Sequence, residues 1–127
     1  MILDTCALLW LASDQRKLSA EAKRVIRKHA DSLFVSTITA FEVAIKSRGQ
    51  KLELPLPVAE WYAEVLEFHG IRELPMTSAI TIASVQLPAL HNDPCDRIII
   101  TTGVLHDMKI ITCDTLVSQY DAAKTVW

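Results

Sequence analysis

The stretch from His91 to Asp114, HNDPCDRIIITTGVLHDMKIITCD, constrains the fold more than any other part of the 127-residue chain. It carries two competing signals. Asp93 has the chemistry of a helix N-cap, Pro94 suits the first helical position, and Asp96 then falls on the first turn beside the positive end of the helix dipole. Against this, Ile98 to Thr102 is a run of five β-branched residues that favours a strand, and Gly103 weakens a helix further. The Asp-Pro start and the continuation through Val104, Leu105 and His106 select a helix, buried nearly all round. Residues 110–112 form the next strand, and Asp114 follows it, where the carboxyl end of a parallel strand opens onto a crevice.

The remaining chain repeats this alternation. Met1, Ile2 and Leu3 make a minimal strand that delivers Asp4, and the apolar block Ala7 to Leu11 begins a helix or turn. Ser19 caps a helix over residues 20–30 whose Lys23, Arg24, Arg27 and Lys28 share one face, suited to solvent or to phosphate. A strand over 33–36 leads to a helix over 39–48 that Gly49 stops, in which Thr39 and Glu42 have the spacing of a capping box. Residues 50–57, with Pro55 and Pro57, connect to an amphipathic helix over 58–69 ended by Gly70. Its apolar face carries Trp61, Val65 and Phe68, flanked by Glu60, Glu64 and Glu67. A strand over 71–74, an apolar helix over 77–87 and a last strand over 124–127 complete a three-layer α/β/α sandwich around a mainly parallel sheet. One domain spans residues 1–127, with no repeat or linker.

Half the residues are hydrophobic, which calls for a sheet covered on both faces or an apolar partner surface; the helices, above all 58–69, are the candidate dimer or partner surface. No apolar run is long enough to span a bilayer, so no membrane role and a cytoplasmic location are expected. Cys6, Cys95 and Cys113 cannot all pair within one chain and lack zinc-site spacing, which suits reduced, packed thiols. A net charge of −2 argues against general electrostatic binding to nucleic acid, although a metal among clustered acids would reverse the local field.

Four acids lie at equivalent places in this alternation. Asp4 and Asp114 follow strands, and Glu42 and Asp96 open helices, all of which belong to one edge of a parallel sheet. Two unit charges about 4 Å apart repel by roughly 4 kcal/mol at an effective dielectric near 20, so a cation is required among them. All-oxygen ligation suits Mg²⁺ or Mn²⁺, and such a site suits phosphodiester hydrolysis. Several neighbours admit two roles. Glu42 closes the capping box, binds metal, or does both; Thr112 is structural or orients a ligand; Arg97 pairs with an internal carboxylate or with a substrate phosphate. His91 is a turn residue or a general acid, and His29, His69 and His106 sit near helix ends. An aspartyl phosphatase would also use an acid after the first strand, but Cys6 stands where its second acid is needed.

The segments LDTCALLW, STITAFEVAIK, HNDPCDRIII and IITCD resemble, in order and over nearly the whole chain, the four acidic motifs of PIN-domain ribonucleases of the VapC toxin branch. The resemblance implies that Asp4, Glu42, Asp96 and Asp114 are the catalytic metal ligands for Mg²⁺ or Mn²⁺, with Asp93 an accessory acid or helix cap. It also implies RNA as substrate, a homodimer and inhibition by a cognate VapB-type antitoxin. Cys6 departs from the His of many relatives. The alternative is a catalytically silent PIN-like module that binds RNA or protein.

Overall fold

The computed structural model describes residues 1–127. In chain order the elements are β1 (Ile2–Leu3), α1 (Thr5–Ser13), α2 (Ala20–Lys28), β2 (Phe34–Ser36), α3 (Ile38–Arg48), α4 (Val58–His69), β3 (Arg72–Leu74), α5 (Ser78–Gln86), α6 (Pro94–Leu105), β4 (Ile110–Ile111) and β5 (Thr125–Val126). All five strands are parallel, in the order β3-β2-β1-β4-β5, and six helices flank them. The chain builds outward from β1 through β2 to β3, then crosses back to lay β4 on the other side of β1. This reversal opens a crevice beyond the carboxyl ends of β1 and β4, the general location of sites in open α/β sheets.

Side-chain alternation divides the core. Leu3 and Ile111 pack with Leu8, Leu33, Val43, Trp61 and Val65 on one face. Ile2 and Ile110, one residue earlier in each strand, pack with Ile38, Ile99, Ile100 and Tyr120 on the other. A central strand of two residues suffices because both its side chains are fully buried between these layers.

Within α6 the cap defeats the β-branched run. Asp93 Oδ1 accepts the Cys95 N–H at 2.8 Å, and Pro94 occupies the first turn. Thr101 and Thr102 donate their hydroxyls to the carbonyls of Arg97 and Ile98 at 2.8 and 2.7 Å, so the buried helix leaves no hydroxyl unpaired there. Gly103 has a packing reason: a Cβ at this position would lie 2.7 Å from Ile110 Cγ1. Only glycine lets α6 approach β4 this closely.

Helix α3 corrects the sequence expectation. It begins at Ile38, with Thr37 at the N-cap, so Thr39 lies inside the helix, fully buried with an unpaired hydroxyl. The capping box therefore does not form, and the Glu42 carboxylate turns to Thr5 instead. Helix α4 ends where expected, with Gly70 in the left-handed conformation at φ 62°. Trp61 and Val65 are buried, whereas Phe68 projects past the end of the core and is 84% exposed. The basic residues of α2 face solvent or line the groove that holds Met1 and Lys109, at the amino ends of β1 and β4, and Arg24 pairs with Glu21. That is the edge away from the acids. No helix is long and apolar enough to cross a membrane.

Candidate functional site

Asp4 stands at the exit of β1, its main-chain N–H bonded to Ile111 O at 3.1 Å, and caps α1 by accepting the Ala7 N–H on Oδ1 at 2.6 Å. Glu42 lies beside it across the α1–α3 contact, where Oε1 accepts the Thr5 hydroxyl at 2.6 Å. Both acids are almost closed to solvent, at 8% and 9% exposure. Asp114 follows β4; its N–H donates to Thr112 Oγ1 at 3.0 Å, and its Oδ1 accepts the Leu116 N–H at 2.8 Å. The Thr112 hydroxyl also lies near enough to Asp4 to favour its charged form, so this threonine stands between the acids that follow the two central strands. Asp96 sits on the first turn of α6 and meets Asp114 across His91, whose Nε2 lies 2.8 Å from Asp114 Oδ2 and 3.1 Å from Asp96 Oδ2.

The four acids share one electrostatic neighbourhood. Burial pushes Asp4 up to about 6; Thr112 and the Ala7 N–H oppose this, and the charges of Glu42 and Asp114 add to it. Burial likewise raises Asp96 to about 6, aided by Glu42, Asp93 and Asp114 and opposed by His91. Against four carboxylates the local cations are few. Lys46, one turn after Glu42, lies 3.9 Å from its Oε2. The donor atoms of His91, Asp96 and Asp114 fall within 4.8 Å of one another, close enough to surround one ion. Oxygen donors rich in uncompensated negative charge fit a hard divalent cation.

Two neighbours, Arg97 and His91, differ from their sequence reading, and Thr112 takes one of the two roles read for it. Arg97 pairs with neither a carboxylate nor an open phosphate site. Its guanidinium turns from the acids and donates to the carbonyls of Ser84, Val85, Leu87, Pro88 and His91, at 2.7–3.3 Å, and to Tyr120 Oη at 3.4 Å. It thereby ties the segment after α5 to the start of α6. Thr112 takes the structural of its two roles, accepting the Asp114 N–H beside Asp4. His91 is more than a turn residue, since its ring reaches the acid pair; the spacing His-x-Asp-Pro-x-Asp, which folds a ring back over the helix start, is the signal that points to it.

The cysteines are free. Burial, and then the nearby acids, push the Cys6 and Cys95 thiols up to about 11, and Cys113 is raised as well. Thiols held protonated in this way are poor nucleophiles.

The PIN domain family model matches residues 1–123. Ribonuclease VapC22 of Mycobacterium tuberculosis is 29% identical over 130 residues, covering 100% of this chain and 98% of that protein. The fold is similar to VapBC of Salmonella typhimurium in a DNA-bound crystal structure, with a TM-score of 0.72 at 15% identity over 98% of this chain and 95% of that one. It is also similar to a toxin–antitoxin complex from Klebsiella pneumoniae, with a TM-score of 0.69 at 21% identity over 99% and 95% of the two chains.

Proposed function

Since the chain belongs to the PIN domain family, we propose that it is a metal-dependent endoribonuclease, a cytoplasmic toxin of the VapC type silenced by a cognate VapB-type antitoxin. One observation carries this reading: the charges of Glu42 and Asp114 add to the raised pKa of both Asp4 and Asp96 at the carboxyl edge of the sheet, with little positive charge among them. VapC22, a ribonuclease by name, matches end to end, and relatives of the same fold form toxin–antitoxin complexes.

The four carboxylates would hold Mg²⁺ or Mn²⁺. When bound, the ion supplies a more acidic water and a counter-charge for a phosphate oxygen during in-line displacement. The chain's own residues prepare this chemistry. Thr5 orients Glu42 through Oε1 and leaves Oε2 free for the ion. Thr112 and the Leu116 N–H fix Asp114, and Ala7 fixes Asp4 by a single oxygen. Lys46 balances Glu42 before the ion arrives. The antitoxin lies over the acid edge. The exposed side chains Phe41, Ile45 and Phe68 on α3 and α4 provide apolar surface for it or for a homodimer; light scattering that finds only monomer at micromolar concentration would remove the homodimer.

The test is cleavage of a total RNA pool by purified, antitoxin-free protein with Mg²⁺ or Mn²⁺, with EDTA, and by Asp96→Asn. Metal-dependent cutting lost in the variant is expected. A folded, metal-loaded protein that cuts nothing, or a variant that cuts equally, would move the assignment to a silent binding module.

A further inference from the structure

His91 makes more directed contacts than its place in a connecting segment requires. Its main-chain N–H donates to Tyr120 Oη at 2.8 Å and its carbonyl accepts from Arg97 Nη1 at 3.0 Å. Its ring is held at both nitrogens. Nδ1 accepts the main-chain N–H of Asp93 at 3.1 Å, and Nε2 faces Asp114 Oδ2 and Asp96 Oδ2.

These contacts assign the ring proton. A nitrogen that accepts an N–H carries no proton itself, so the neutral ring bears its proton on Nε2. The partners of Nε2 agree, because carboxylates accept and do not donate. A single N–H is thus given to Asp114, with Asp96 Oδ2 3.1 Å from the same nitrogen. An ion at Nε2 would need the proton moved to Nδ1, where it would confront the Asp93 N–H across 3.1 Å. Asp93 cannot withdraw, since its side chain caps α6.

We propose that His91 is a positioning residue that fixes Asp114 through its Nε2–H and keeps Asp96 beside it, and that it is not a ligand of the metal those acids bind. The proposal rests on the nuclease reading only in that the same acids bind the ion. Asp114 is then held at both oxygens, Oδ1 by Leu116 and Oδ2 by His91. Asp96 Oδ1 and the remaining lone pairs of both Oδ2 atoms stay available to an ion. Outer partners that orient ligands in this way typically change metal affinity by about 10–100-fold when removed.

The experiment is nitrogen NMR of the His91 ring, without metal and with diamagnetic Mg²⁺, together with calorimetric Mg²⁺ binding to wild type, His91→Gln and His91→Ala. The expected result is a proton on Nε2 and none on Nδ1 in both states. Gln, whose amide offers an N–H at nearly the same place, binds Mg²⁺ almost as wild type does, and Ala binds about 10–100-fold more weakly. Circular dichroism identifies a variant that has not folded, and the NMR result on wild type decides independently. A proton on Nδ1, or an Ala variant with wild-type affinity, overturns the proposal while leaving the nuclease reading intact. Wild type that takes up no Mg²⁺ overturns both. Normal binding with an Nε2 proton but no RNA cleavage leaves the clamp standing and sinks the nuclease.

Discussion

Asp96 and Arg97 are consecutive residues on the first turn of α6, and they face opposite electrostatic situations. Arg97 donates to five carbonyls and a phenol, so the guanidinium has partners on every side. Asp96 is half-buried among other acids, with the imidazole nitrogen of His91 at 3.1 Å as its one close counterpart. One residue completes a structure; the other leaves negative charge that the fold does not balance. A single helical turn thus separates what holds the fold from what the fold holds ready.

The largest effect that tests this contrast is on activity. Asp96→Asn is expected to slow RNA cleavage roughly a thousandfold, equivalent to about 4 kcal/mol of lost transition-state stabilisation. Cleavage assays on equal amounts of folded protein measure it, and an undiminished rate would place Asp96 on the structural side with its neighbour. Next comes Arg97→Ala, which leaves several carbonyls without a donor and should lower stability by about 3 kcal/mol in urea unfolding. Arg97→Lys should recover little, since a compact ammonium cannot span the same fork of acceptors. A wild-type midpoint for Arg97→Ala would break the comparison at its other end.

A pH profile separates the two residues more finely. Asp4 and Asp96 stand near 6 in the fold against an ordinary 3.8, so the folded protein binds protons that the unfolded chain has released. Their share of stability is whole below 3.8 and is lost as pH rises through 6. Metal-free protein should therefore melt lower at neutral pH than at acid pH, as far as these groups decide. Asp96→Asn should flatten that slope and stabilise the metal-free protein by about 1–2 kcal/mol at neutral pH, while saturating Mg²⁺ removes the difference. A variant less stable than wild type at neutral pH would contradict the charge imbalance. The smallest effect is expected from Tyr120→Phe, which deletes a hydroxyl that accepts from His91 and Arg97 and donates to Pro88. About 1 kcal/mol of stability should be lost, and Mg²⁺ affinity should drop with it, because the phenol supports the His91 backbone.

The elements were legible because each announces itself locally. Asp93 and Pro94 outweigh five β-branched residues since a cap acts on the same turn, and the parallel sheet follows from strands and helices taking turns. The neighbourhood of the acids was legible for the same reason: strand exits and helix starts share an edge whatever the loops do. Partners far apart in sequence were not legible. Glu42 faces the expected edge but lies past the first turn of α3, and its partner is Thr5, on another helix, rather than Thr39 in its own. The contact of His91 with Asp114 spans 23 positions, and that of His91 with Tyr120 spans 29. Arg97 found carbonyls because the turn after α5 folds around it, and no periodicity encodes a turn's shape.

Gly103 sits at the far end of α6 from Asp96, against the strand that leads to Asp114. It acts as a gauge block, setting the gap between the two elements that carry those acids. A methyl group there wedges helix from strand, and the displacement reaches the acid pair along two stiff arms. On the proposed metal reading, loss of metal affinity from a change made on the apolar side of the molecule, with every acid still in place, is the expected mechanical counterpart of removing an acid.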